Sequence, residues 1–203
     1  MSRRSLIVAL FAVLAAAQIG VPLQMIVARE RTLRLGKPYR FRTAPVDPYD
    51  AFRGRYVAIN VDLSGGTDTN RWSLGRRLSV TNAQSFERGQ RVFALLAEGT
   101  NGFARVSGLS PERPAAQDYI RARVAWASGG DVNLELPFDR YYMNEKRAPA
   151  AEQAYREHSR RGTNDACVVV RVRDGSAVLE RLLIGDRPIE SFLKEQGGVG
   201  GRP

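Results

Sequence analysis

Two hydrophobic periods divide the chain. Residues 6–28, LIVALFAVLAAAQIGVPLQMIVA, carry no charge. As a helix they rise about 35 Å, enough for a hydrocarbon core of about 30 Å. Pro22 does not forbid that helix, because neighbouring groups or water can satisfy the carbonyl it frees. The pattern therefore predicts a transmembrane helix over 6–28. Arg3 and Arg4, the apolar run and AAAQ at 15–18 also fit a cleavable signal peptide. Cleavage there would leave a chain beginning with the still apolar QIGVPLQMIVA, which favours an uncleaved signal anchor.

Beyond residue 28 the period falls to two. TLRLGKPYRFRT (32–43) alternates Leu33 and Leu35, then Tyr39 and Phe41, with basic residues, and predicts a strand pair or one bent strand around Gly36 and Pro38. In RYVAINVDL (55–63), Val57, Ile59, Val61 and Leu63 form a core face opposite Tyr56, Ala58 and Asn60. RWSLGRRLSV reads as a strand or a short turn of helix. Segments 90–99 and 102–110 read as a hairpin across GTNG, and 118–127 with 131–138 as a second across SGG. Helix formers from Pro149 to Arg161, with Ala150, Ala154 and Tyr155 on one face and Gly162 as the stop, predict one helix. The clearest hairpin is ACVVVRVRDGSAVLERLLIGDRPI, with Asp174 and Gly175 at its turn. GGVGGRP reads as a disordered tail. The expected architecture is mainly β: a single compact β-barrel-like or sandwich domain with one short helix, behind an N-terminal transmembrane helix. Residues 1–28 form the anchor, 29–195 the β-rich soluble domain and 196–203 a flexible tail.

Composition sharpens this picture. Of 203 residues, 43% are hydrophobic and 26% charged, so the bulk of the chain should fold. The formal net charge of +10 suits an anionic surface such as phospholipid headgroups. The arginines alternate with apolar residues rather than clustering, which marks the solvated face of a sheet. Aromatics are too scattered for a single-strand stacking platform, and nucleic acid is not an expected partner. Charge does not fix orientation. Arg29, Arg31, Arg34 and Lys37 outnumber Arg3 and Arg4, which places the domain inside by the positive-inside rule. The signal-like order of basic start, apolar core and small residues sends it outward. We take the second: a single-pass inner-membrane protein with its domain on the periplasmic face.

Little in the sequence spells chemistry. The single cysteine, Cys167, lies among β-branched residues and reads as a small buried hydrophobe. The single histidine, His158, would have to carry any zinc site or Ser-His-Asp triad alone, and suits a helix end better. Neither a G-x-S-x-G elbow nor an H-E-x-x-H motif is present, and no cofactor or metal is expected. The best constellation is Asp47, Asp50, Arg53, Gly54, Arg55 and Tyr56, in TAPVDPYDAFRGRYVAINVD, joined by Arg140, Tyr141, Tyr142 and Glu145. Two carboxylates three residues apart can divide acid and base roles if the loop folds back. Equally, Asp47 before Pro48 initiates a turn, Asp50 bonds amides two residues on, and Arg53 is a local counter-ion.

At FRGRYVAINV the chain resembles the GDYXXLXY family of bacterial membrane-associated proteins. Gly54 takes the motif's glycine, Tyr56 its tyrosine and Ile59 its leucine. Arg55 stands in place of the aspartate, and Val61 in place of the final tyrosine. DPYDAFRG, LPFDRYYMNE and the apolar N-terminal segment extend the likeness over most of the chain. The resemblance implies a membrane-tethered domain without an established activity, and it supplies no catalytic residues. The expected function is a module that binds or scaffolds a membrane-protein partner. The alternative is a membrane-anchored hydrolase using the acids of the Asp47–Asp50 loop.

Overall fold

The computed structural model describes residues 3–44, 56–64, 76–79, 86–160, 163 and 165–199. In chain order these residues form α1 (Arg3–Leu35), β1 (Lys37–Arg42), β2 (Tyr56–Ala58), β3 (Arg77–Ser79), β4 (Arg91–Glu98), β5 (Ala104–Ser110) and β6 (Tyr119–Ser128). There follow β7 (Asp131–Glu135), β8 (Arg140–Tyr142), α2 (Ala148–His158), β9 (Ala166–Arg173), β10 (Ser176–Ile184), β11 (Arg187–Pro188) and α3 (Ile189–Val199). The fold is mainly β, with an apolar N-terminal helix.

α1 is continuous through Pro22, and an 18-residue stretch of it has a mean hydropathy of 2.4 with none of it buried in the molecule. It is long and apolar enough to cross a membrane, and a signal sequence would share that length and composition. The helix also runs past Ala28 to Leu35, so Thr32, Leu33 and Leu35 are helical and the expected strand pair over 32–43 is a helix end followed by one strand. The alternation of Leu33 and Leu35 with arginine is too short to separate the two periods. Glu30 and Arg34, paired at 2.6 Å one turn apart, support the helical one.

Where α1 meets the domain, the contact is close. Thr32, the only buried residue of the helix, bonds Ala28 O at 3.0 Å and Ser176 Oγ at 3.2 Å. Gly36 then passes so near the sheet that a Cβ there would lie 2.4 Å from the Thr32 carbonyl oxygen and 3.1 Å from the Val172 backbone. Only a glycine fits this corner without displacement.

Three sheets share one core. Strands run β1-β9-β10-β11 in the first, β2-β8 in the second and β3-β7-β6-β4-β5 in the third, with every named pairing antiparallel. Isolated bridges, Thr43 to Val61 and Ile120 to Gly175, stitch them together. Register shifts at Leu179/Arg181, Leu95/Leu96 and Val124/Trp126 put extra residues into β10, β5 and β6, and such bulges curl a sheet. Phe41, Val57, Ile59, Val61, Leu63, Val124, Leu134 and Leu182 converge in the interior, so the core face expected for 55–63 is correct. All three predicted hairpins form. Asp174 (φ 50°) and Gly175 (φ 78°) give the positive pair that a two-residue I′ turn needs.

The helices depart from expectation in detail. α2 buries Ala148, Ala151, Ala154 and Tyr155, whereas Ala150, expected inside, is exposed. A further helix, α3, occupies 189–199, so the segment read as a tail is helical as far as Val199; residues 200–203 lie outside the described residues. Segment 71–80, ambiguous between strand and helix, contributes strand β3.

Candidate functional site

Strand pairing brings four of the ten expected residues, Tyr56, Arg140, Tyr141 and Tyr142, onto one ribbon. β2 and β8 form a two-stranded ribbon with Tyr56 opposite Tyr142, Val57 opposite Tyr141 and Ala58 opposite Arg140. Side chains alternate across a strand, so Tyr56, Tyr142 and Arg140 share the outer face while Val57 and Tyr141 turn inward. Outside, the Tyr56 and Tyr142 rings meet edge-on at 5.7 Å, and the Arg140 guanidinium covers the Tyr56 ring at 4.9 Å. Tyr142 is 67% exposed, the largest exposure of a large hydrophobic side chain outside α1 among the described residues. The neighbouring Tyr142 hydroxyl, with Asp139 behind it, holds the Arg140 guanidinium above its ordinary pKa, so the cation is permanent.

Tyr141 does something different. Its hydroxyl donates to Glu190 Oε1 on α3, and burial followed by that bond raises its pKa well above the ordinary tyrosine value. It ties β8 to α3 and is not part of the exposed face. Glu145 lies exposed in the turn before α2, three residues beyond Tyr142. Asp47, Asp50, Arg53, Gly54 and Arg55 lie outside the described residues.

Ala44 and Asn60 are held together by a helix residue whose polar role the sequence does not show. Tyr155 is buried on α2, and its hydroxyl lies 3.2 Å from both the Ala44 and the Asn60 carbonyl oxygens while accepting from Asn60 N–H at 3.2 Å. Ala44 N–H also donates to Asn60 O at 2.9 Å, and Asp62 N–H to Arg42 O at 2.9 Å. Beneath, the Thr43 hydroxyl donates to Ala166 O at 2.9 Å and lies 3.0 Å from the Ser159 hydroxyl. Burial pushes Tyr155 up to about 12, so it works as a neutral hydroxyl. A tyrosine on an otherwise alanine-lined helix face was the available signal.

His158 is held from two sides. Its Nδ1 pairs with Asp165 Oδ1 at 2.7 Å and its ring meets Phe192 edge-on at 5.1 Å, while its neighbour Ser159 is buried against Thr43. Among the described residues no group of three His, Cys, Asp or Glu side chains is arranged to hold a metal ion. Cys167 is buried, as expected, and that burial raises its thiol pKa against the lowering effect of Arg40.

The family model described as GDYXXLXY protein matches residues 18–182. The chain belongs to the GDYXXLXY family. Both ribbon strands and Tyr155 fall within the matched span. Of the motif positions, Tyr56 is half-buried on the ribbon while Ile59, and Val61 in place of tyrosine, are buried in the core. No curated protein and no solved structure is significantly similar to the chain.

Proposed function

We propose that this GDYXXLXY protein is a membrane-tethered module whose β2–β8 ribbon binds a membrane-protein partner. The observation that carries the reading is the exposed trio of Tyr142, Tyr56 and Arg140. Tyrosine and arginine dominate the energetics of protein interfaces, because each covers much area and keeps a polar tip. The trio is already ordered by edge-on and cation–π contacts, so a partner would find it preformed. Tethering rests on α1, exposed and apolar over a membrane-spanning length. The signal-like order of its N-terminus favours a domain on the periplasmic side of the inner membrane. A hydrolase using Asp47 and Asp50 is the competing outcome.

Two measurements separate these. The intact mass of protein extracted from membranes should include residues 1–28, and an N-terminus at Gln18 would sink the tether. Tyr142→Ala with Arg140→Ala should abolish co-purification of a membrane protein that wild type retains, while Asp47→Asn with Asp50→Asn should keep it. Loss of a hydrolytic activity in the aspartate variant, with capture intact in both, would install the hydrolase instead.

A further inference from the structure

A second surface, remote from the ribbon in sequence, is built against electrostatic intuition. On the outer face of the third sheet, Arg91 of β4 stands directly opposite Arg123 of β6, and Phe93 opposite Arg121. Like charges placed directly across an antiparallel pair repel. Together with Arg113 they line a groove of about 740 Å³ walled by Phe93, Tyr119 and Leu136. Four guanidinium groups there face one lining carboxylate, Glu135. Arg121 donates to the Asp174 carbonyl at 2.6 Å and Arg113 approaches the Asp174 carboxylate at 3.9 Å, while Arg123 has Glu135 of β7 opposite it on its other side and Arg91 faces only Arg123 across β6. A groove with this excess of guanidinium groups beside apolar walls fits a ligand that is anionic at one end and apolar beside it.

Its position says where that ligand comes from. The groove's Arg121 end rests on the β9–β10 turn: Arg121 N–H bonds Gly175 O at 3.0 Å, and a Cβ on Gly175 would strike Tyr119 at 2.3 Å. Ser176, the next residue, is the one that Thr32 of α1 bonds. Thr32 lies four residues past the uncharged segment, a helical rise of about 6 Å. The headgroup layer on each side of a bilayer is about 5–7 Å deep. The turn thus stands at headgroup level if α1 spans the membrane, and the groove begins there.

We propose that the Arg91–Arg113–Arg121–Arg123 groove holds the phosphate headgroup of an anionic phospholipid from the leaflet on the domain's side of the membrane. The proposal rests on the tether reading. Guanidinium groups suit phosphate because their paired N–H groups match two phosphate oxygens at once. Phe93, Tyr119 and Leu136 would lie along the glycerol and upper acyl chain.

The test uses the full chain in neutral detergent, with native mass spectrometry after addition of dioleoylphosphatidylglycerol or dioleoylphosphatidylcholine. Wild type should retain the glycerol lipid at least about tenfold more than the choline lipid. Arg91→Gln with Arg123→Gln should fall to the choline level while melting no lower than wild type, because the change removes a repulsive pair. Arg113→Gln, on the loop, should weaken retention even if the double variant misfolds. Arg156→Gln with Arg187→Gln, outside the groove and equal in charge, should retain lipid normally. Equal loss in that control, or no loss in the groove variants, would overturn the proposal. So would inorganic phosphate that raises the melting temperature of wild type alone while the two lipids are retained equally, since the ligand would then be a free anion. Flotation with neutral phosphatidylcholine vesicles reads the tether separately: failure there with normal lipid selectivity in detergent removes the membrane source and overturns the proposal as stated.

Discussion

Tyr155 joins α2 to the backbone of two distant segments. It is 1% exposed, and its single hydroxyl accepts from the Asn60 amide and lies within hydrogen-bond distance of the Ala44 and Asn60 carbonyls. Tyr155→Phe should therefore cost about 1–3 kcal/mol in chemical denaturation, because the Asn60 amide loses a buried partner. The pH dependence has a definite sign. The folded pKa of about 12 exceeds the ordinary value of 10.0, so the hydroxyl's contribution is complete below pH 10 and is lost as pH rises from 10 towards 12. Two units correspond to roughly 2–3 kcal/mol. Wild type should lose stability across that window, and Tyr155→Phe should lose less. An identical alkaline slope in both would remove Tyr155 from the account. Cys167 gives a simpler test: at 2% exposure it should react with a thiol reagent only at the rate of unfolding, and rapid labelling of native protein would contradict its burial.

At the scale of elements, the junction between α1 and β1 is the least forgiving. Gly36→Ala sets a methyl group 2.4 Å from the Thr32 carbonyl, and backbone on both sides leaves it no route of escape. Such overpacking should destabilise by about 1–3 kcal/mol and raise hydrogen exchange at Thr32 and Val172. Unchanged exchange would mean that α1 and the sheet are not rigidly joined. This junction also marks where sequence reading lost its grip. Gly36 is visible as a break, but a glycine signals a break without saying what lies before it, and the three residues Leu33, Arg34 and Leu35 serve helix and strand alike. Hairpins were legible because turn chemistry is local: Asp174 and Gly175 need positive φ whatever surrounds them. The inner residues of β2 were legible because burial imposes a strict period of two on a strand. Ala150 was misplaced because neighbouring alanines on a helix carry no difference in hydrophobicity to choose between faces. The grouping of Tyr56 with Tyr142 and Arg140 was suggested by composition, and only the pairing of β2 with β8 brings them into contact. Tyr155's service to two distant carbonyls depends on folding that no local pattern records.

Across the whole molecule, charge and apolar surface are distributed unevenly. Four arginines gather in the groove between β4 and β6, while the longest apolar surface is segregated into α1. The β2–β8 ribbon is a separate surface, aromatic and cationic, supported from behind by Tyr141 on Glu190. The apolar helix, the arginine groove and the aromatic ribbon are three separate surfaces, and the main hydrophobic cluster draws on all three sheets. We propose that the ribbon meets a membrane-protein partner, a claim that cross-linking in intact membranes tests. A photoreactive residue in place of Tyr142 should yield a single discrete adduct with another membrane protein, and one in place of Gln153, exposed on α2, should yield none. No adduct at 142, or the same adducts from both positions, would contradict the claim.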